Sequence, residues 1–195
     1  MTNLRYYKNL LEEIEKLPNT EQEWIEAVSK QPSLIKSHPN PSEDVQLAAV
    51  KKKGSAIQCI KDPSEAVQIA AVRKYVGALN YISDPSEAVQ MAAVKRNPYA
   101  LNLIKNPSES LLIALAKKKG FDPNDPDNPQ NKKRMLIWML KASKYALQNN
   151  SRLDISAGFL AKHLYSYLEK RGIIWPELKA ITKSGDVQRF GPTSR

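Results

Sequence analysis

The chain reads as an all-α fold: an α-solenoid of 22-residue helical repeats, closed by a C-terminal helical cap or small helical domain. Three observations predict it. Pro41, Pro63, Pro85 and Pro107 stand 22 residues apart. Each opens one phrase: Pro-Ser-Glu-Asp-Val-Gln, then Pro-Ser-Glu-Ala-Val-Gln twice, then Pro-Ser-Glu-Ser-Leu-Leu. Each phrase runs on into a small apolar stretch: Leu47-Ala48-Ala49-Val50, Ile69-Ala70-Ala71-Val72, Met91-Ala92-Ala93-Val94 and Ile113-Ala114-Leu115-Ala116.

Within each repeat the residue types suit their places. Asn40, Asp62, Asp84 and Asn106 precede the prolines and can cap a helix by accepting from free amides of its first turn. Proline then takes the first helical position, where its missing N–H costs nothing. Glu43, Glu65, Glu87 and Glu109 fall third, placed to close a capping box and to favour the positive helix end. Val45, Ala48 and Ala49, with Val67, Ala70, Ala71 and Val89, Ala92, Ala93 after them, share one helical face. Gly54 and Gly120 suit a left-handed helix stop; Pro98 ends its helix differently, and Gly77 comes one residue late. A second short segment follows in each unit, Ser55 to Lys61, Gly77 to Ser83 and Pro98 to Lys105, with room for about two turns of α or 3₁₀ helix. It carries apolar pairs at Ile57/Ile60, Leu79/Ile82 and Leu101/Ile104. One such unit cannot cover its own apolar face, so successive units must stack.

The same period identifies the ends. Shifted back by 22, Ala49, Val50 and Ile57 fall on Ala27, Val28 and Ile35, and Thr20 to Glu23 offers a capping box. Residues 1–40 therefore form an N-terminal helix, Leu4 to Leu17, and a degenerate capping repeat with Trp24 over the first full layer. The four-unit array spans 41–120 and a Pro/Asp-rich loop 121–131. Residues 132–182 hold C-terminal helices: one over 132–149, one from Ser156 to Arg171 ended by Gly172, and a short third from Pro176. Met135, Leu136, Trp138, Met139, Ala142, Tyr145 and Ala146 mark the inner face of the first, and Phe159, Leu160, His163, Leu164, Tyr167 and Leu168 that of the second. The tail, 183–195, has few apolar residues.

Charge is unevenly spread. The chain carries +10 in all: −1 over 1–40, +5 over 41–120 and +6 over 121–195. A positive body favours anionic partners. No stretch approaches the ~18 apolar residues of a membrane span, the start lacks a basic cluster leading into an apolar block, and the single Cys59 cannot form an internal disulfide. These features point to the cytoplasm, with no membrane partner.

Equal positions in successive repeats become neighbouring rows. Lys51, Arg73, Lys95 and Lys117 share one position, and Lys52, Lys74, Arg96 and Lys118 the next. These eight are the candidate contacts to a partner or to nucleic acid: a cationic ridge would neutralise phosphates with a steep salt dependence. Cations at helix C-termini also serve the dipole without any partner. Missing aromatic interleaving argues against a single-strand platform. Gln46, Gln68 and Gln90, with Gln58, Asn80 and Asn102, form polar rows that suit a solvated face or a partner's polar groups.

No catalytic, cofactor or metal site emerges. Cys59 aligns with Tyr81 and Leu103, an ordinary packing slot; His38 aligns with Ile60, Ile82 and Ile104; His163 falls on an apolar face. Two histidines and one cysteine far apart give no zinc spacing. Asp122, Asn124, Asp125 and Asp127 lack the glycine and glutamate of a calcium loop. Neither a phosphate-binding glycine loop nor a nucleophile elbow is present, so the chain reads as a binding protein rather than an enzyme.

The phrase Pro-Ser-Glu-Ala-Val-Gln-Ile-Ala-Ala-Val, followed by a basic pair, resembles short HEAT-like α–α repeats. It is similar to a repeat family common in bacterial and bacteriophage proteins, with a Val-x-x-Ala-Ala-Val-Lys-x-x-Gly core matched at Val45 to Gly54. The resemblance covers about 19–120 and implies a right-handed stack with a scaffold or adaptor role; bacteriophage company makes an inhibitor role attractive. The expected function is thus a non-catalytic adaptor or inhibitor presenting its repeat surface to a protein partner. The alternative is a nucleic-acid or nucleoprotein binder using the basic ridge.

Overall fold

The computed structural model describes residues 17–149, 152–173 and 175–176, with side chains over 17–141, 158–173 and 175–176. The helix expected ahead of the first repeat, the third C-terminal helix and the tail fall outside the described residues. Every regular element among the described residues is helical. Seven α-helices occur there: α1 Glu21–Lys30, α2 Glu43–Lys52, α3 Glu65–Lys74, α4 Glu87–Arg96, α5 Glu109–Lys118, α6 Pro129–Asn149 and α7 Arg152–Lys170. Four 3₁₀ segments alternate with the shorter helices: η1 Pro32–Ser37, η2 Gly54–Cys59, η3 Val76–Tyr81 and η4 Pro98–Leu103. The chain divides into two compact units, Met1–Ala78 and Leu79–Arg195.

The repeat helices start two residues later than the proline pattern predicts. Ser42, Ser64, Ser86 and Ser108 are the caps, each accepting from the backbone N–H three residues on. The asparagine or aspartate before the proline is not. Serine wins because it follows the proline directly and adopts the extended backbone a cap requires, φ −62° and ψ 164° at Ser42. Glutamate is consequently the first helical residue and forms no capping box there. Instead its carboxylate serves the next repeat: Ser42 Oγ donates to Glu21 Oε1 at 2.5 Å, and Ser64 Oγ donates to Glu43 Oε1. Thr20, 22 residues before Ser42, does form the expected capping box with Glu23, at 3.2 and 3.3 Å.

In the first unit α1 packs on α2 and α2 on α3, while η1 and η2 lie beside one another and against the helices. Val28, Val45, Ala49, Val50, Val67, Ala71 and Val72 are wholly buried in this core, with Trp24, Ile35, Ile57 and Ile60 also buried. Each fully buried valine contributes about 1.5–3 kcal/mol. Gly54 does not adopt a left-handed conformation; among the described glycines only Gly120 and Gly172 do, at φ +90° and +74°. Gly54 is required for a different reason. A Cβ there would sit 2.6 Å from the Ala71 carbonyl oxygen and 2.8 Å from Tyr75 Cβ, so η2 can approach α3 only without a side chain.

In the second unit α4 packs on α5 and η4, with Val89, Ala93, Ala100, Leu101, Ile104 and Leu111 buried. Here α5 ends in a Schellman turn: Gly120 N–H donates to Lys117 O at 2.9 Å and Phe121 N–H to Ala116 O at 3.3 Å. α6 begins at Pro129 with Asn128 Oδ1 accepting from Gln130 and Asn131, the asparagine-cap arrangement that the repeats do not use. α7 packs on α6, α5 and η4. In the first unit η2 likewise packs on the helix before it and on η1, so α7 stands where a further 3₁₀ segment would follow α5. Leu160, Ala161, Leu164, Tyr167 and Leu168 are buried, while Phe159 and His163 are half-buried.

Candidate functional site

All eight cations of the two rows are exposed. They occupy the last turns of their helices: Lys51 and Lys52 on α2, Arg73 and Lys74 on α3, Lys95 and Arg96 on α4, Lys117 and Lys118 on α5. In the first unit α2 and α3 pack together and are joined at their starts by the Ser64–Glu43 bond. That arrangement sets the four cations of the first unit at corresponding ends of adjacent helices. In the second unit α4 packs on α5, and Lys95 and Arg96 on the one and Lys117 and Lys118 on the other lie in the last turns. Each helix thus carries acid in its first turn and base in its last, which suits its dipole by about 0.3–1 kcal/mol per charge.

Lys117 is already engaged. Its Nζ lies 3.0 Å from Asp122 Oδ2. The Asn124 backbone N–H and then Lys117 hold the Asp122 carboxyl below the usual aspartate value. Around it the Pro/Asp loop forms a closed network. Asn131 Nδ2 donates to the Asp122 and Asp125 carbonyls at 3.1 and 3.0 Å, and Asp122 N–H donates to Asn131 Oδ1 at 3.0 Å. Tyr167 Oη donates to Asn124 Oδ1 at 3.0 Å and accepts from Arg171 Nη1 at 2.6 Å, tying the loop to α7. Through Lys117, Asn131 and Tyr167 the loop is fastened to α5, α6 and α7, and no cluster that could hold a metal occurs among the described residues.

The glutamine row faces inward, against its expected place as a polar surface. Gln46, Gln68 and Gln90 each donate from Nε2 to the carbonyl of their own repeat's proline, at 2.8, 2.9 and 2.9 Å. Gln90, 5% exposed, also donates to Asn106 O at 3.2 Å and accepts from Ser108 N–H at 2.9 Å. Gln58 and Asn80 are exposed. Asn102, in the same row, has both amide atoms buried without a hydrogen-bond partner, on the segment that α7 covers.

The titratable and nucleophilic candidates have packing roles. The His38 ring lies 4.5 Å from Trp24 and its Nδ1 accepts from Asn40 N–H at 3.2 Å. Burial, and after it Lys162, pushes the His163 imidazole below its ordinary value; its ring lies 6.4 Å from Phe159. Cys59 is half-buried at the end of η2.

A groove missed by the repeat reading lies between α1 and α2. It is shallow and open to solvent, holds about 520 Å³, and is lined by Ile25, Ser29, Asp44, Leu47, Ala48, Lys51 and Lys52. Ile25, Leu47 and Ala48 are half-buried, the two lysines exposed. Ala48 was expected to share the buried stripe with Ala49, but only Ala49 is wholly enclosed. The corresponding residues Ile69 and Ala70, then Met91 and Ala92, are half-buried too, so each helix keeps a partly open apolar flank beside its cationic end. That flank is written in the sequence as an apolar stripe wider than one packed neighbour needs. No helix among the described residues is long and apolar enough to cross a membrane. The chain matches no protein-family model, no curated protein and no solved structure.

Proposed function

We propose that this chain is a non-catalytic binding protein, an adaptor or inhibitor, that lays the face of a right-handed solenoid of 22-residue HEAT-like repeats against an acidic protein partner. The observation that carries the reading is the groove of Ile25, Leu47 and Ala48 with Lys51 and Lys52 on its rim. A partly open apolar floor supplies contact area, and charge at its edge steers and selects an acidic partner. Support for the repeat comes from the serine caps, which recur every 22 residues from Ser42 to Ser108, and from the glutamine bonds, which recur at the same spacing at Gln46, Gln68 and Gln90. Pull-down from the native host tests the function. A protein retained by the wild type and released by Leu47→Asp with Lys52→Glu is the expected partner; retention unchanged by those substitutions ends the reading.

The second reading, a nucleic-acid or nucleoprotein binder, is favoured by one observation: eight exposed cations in the last turns of four helices. Under it, duplex or single-stranded nucleic acid binds at low ionic strength with a steep salt slope. Changing Lys51, Arg73, Lys95 and Lys117 together to Glu abolishes that binding. No retention on nucleic acid even at low salt removes it.

A further inference from the structure

Helix α6 offers a surface of different origin. Its 21 residues include no aspartate or glutamate. Met135 and Met139, each 2% exposed, are committed to the core of the second unit. On the opposite side Ile137 and Leu140 remain 43% and 53% exposed. At about 100° per residue Lys133 and Lys141 fall on the same face as these two, with Arg134 at its edge, and all three cations are exposed. Single aliphatic residues on a surface need no explanation. A pair three residues apart, ringed by cations with no acid on its own helix, calls for one.

We propose that this face of α6 docks an acidic amphipathic segment of a protein partner, one that brings a large apolar side chain to Ile137 and Leu140 and carboxylates to Lys133, Arg134 and Lys141. Charge and area select this occupant over two others. A second copy docked through the same face would set these cations against their own equivalents, which opposes association. An anionic membrane would attract the cations, but lying in a bilayer interface takes a broad apolar face. The methionines that would widen it are buried in the fold, leaving Ile137 and Leu140 as the exposed large apolar side chains of α6 among the described residues. An acidic segment needs no more than that: a central apolar contact with a charged rim is ordinary interface anatomy. The proposal stands apart from the α1–α2 groove, since α6 belongs to the other compact unit.

The test is fluorescence anisotropy on the full chain with two labelled probe peptides and one lipid probe. The first peptide is a glutamate-rich helix former carrying two leucines spaced i, i+3; the second replaces both leucines with serine. The lipid probe is phosphatidylcholine vesicles containing phosphatidylserine. The leucine peptide is expected to bind the wild type about tenfold more tightly than the serine peptide, the scale of one good apolar anchor. Ile137→Ser with Leu140→Ser should erase that difference, and Lys133→Glu with Lys141→Glu should weaken the leucine peptide about tenfold. Unchanged melting curves would show that both variants fold. Lys51→Glu with Lys52→Glu should leave the leucine preference intact, which separates this site from the groove. The proposal is overturned if the peptide ignores both α6 variants, if it is lost with the Lys51/Lys52 variant instead, or if vesicles bind through Ile137 and Leu140 while the peptide does not.

Discussion

Gln90 Oε1 accepts the backbone N–H of Ser108 at 2.9 Å, so a side chain one turn into α4 holds the residue that caps α5. Its Nε2 donates to the Pro85 and Asn106 carbonyls as well. Among the described residues Gln90 is the buried polar side chain, and its amide is satisfied at both ends. Gln90→Ala is expected to destabilise the chain by about 1 kcal/mol or more, because it removes a buried amide that serves part-buried backbone groups of Pro85, Asn106 and Ser108 at once. Gln46→Ala, at a half-buried site with one such bond, should cost less. Urea unfolding of the two variants side by side checks the order.

Gly54 and Gly77 make opposite demands. Gly54→Ala would drive a methyl into the Ala71 carbonyl and Tyr75 Cβ, neither of which can turn away. The expected loss is about 1–3 kcal/mol, the usual cost of overpacking. At Gly77 the obstruction is the far end of the Tyr75 ring, 51% exposed and able to swing aside. Gly77→Ala should therefore leave the thermal midpoint nearly unchanged. Equal effects at both sites would contradict the close approach of η2 to α3.

Asn102 is the place to gain stability. Its amide oxygen and nitrogen are buried without partners. Asn102→Leu should therefore raise stability by about 1–3 kcal/mol, the penalty of unsatisfied buried polar groups. Asn80→Leu, at the corresponding exposed site, should do nothing comparable. Thermal melts of both variants decide it.

Two groups give the fold an acid sensitivity of predictable sign. His163 has a folded pKa below 6.5, so it adds stability above that pH, and the gain is lost as pH falls because the unfolded chain takes the proton first. The wild type should lose thermal stability as pH drops below 6.5, and His163→Leu should flatten that slope. Asp122 is also depressed, from 3.8, and follows the same sign lower down: the Asn124 N–H and then Lys117 favour the carboxylate in the folded chain, and that gain, present above 3.8, is lost as the carboxylate protonates. Asp122→Asn should remove the acid-limb contribution without altering the slope near 6.5. Melts recorded across pH separate the two.

Much of the helical order was legible because caps and breakers act locally. The helices at Glu43, Glu65, Glu87 and Glu109 follow from four copies of Pro-Ser-Glu, and the Thr20–Glu23 box from four adjacent residues. The cap itself was misplaced by two residues, since Asn-Pro and Pro-Ser both present good cap chemistry and only the backbone angles choose. Asn128-Pro129, with no serine behind it, behaves as the simpler rule says. The glutamine row was harder to read. A polar residue recurring every 22 positions reads alike whether it meets solvent or a neighbouring carbonyl. Ile137 and Leu140 were overlooked for a related reason: α6 is apolar on more than one side, and periodicity does not say which side the rest of the chain covers.

From the residues alone came the succession of repeat helices, the presence of a second short helical segment after each of the first three, and the cationic last turns, all of which depend on groups a few positions apart; that the short segments are 3₁₀ was decided by the folded chain. Only the folded chain decided that Gly54 yields room to α3, that Gln90 spends its amide inside, that α7 takes a 3₁₀ segment's place beside η4, and that two aliphatics of α6 stay outside. These depend on what arrives from distant sequence at van der Waals range, and a local pattern carries no record of its future neighbours.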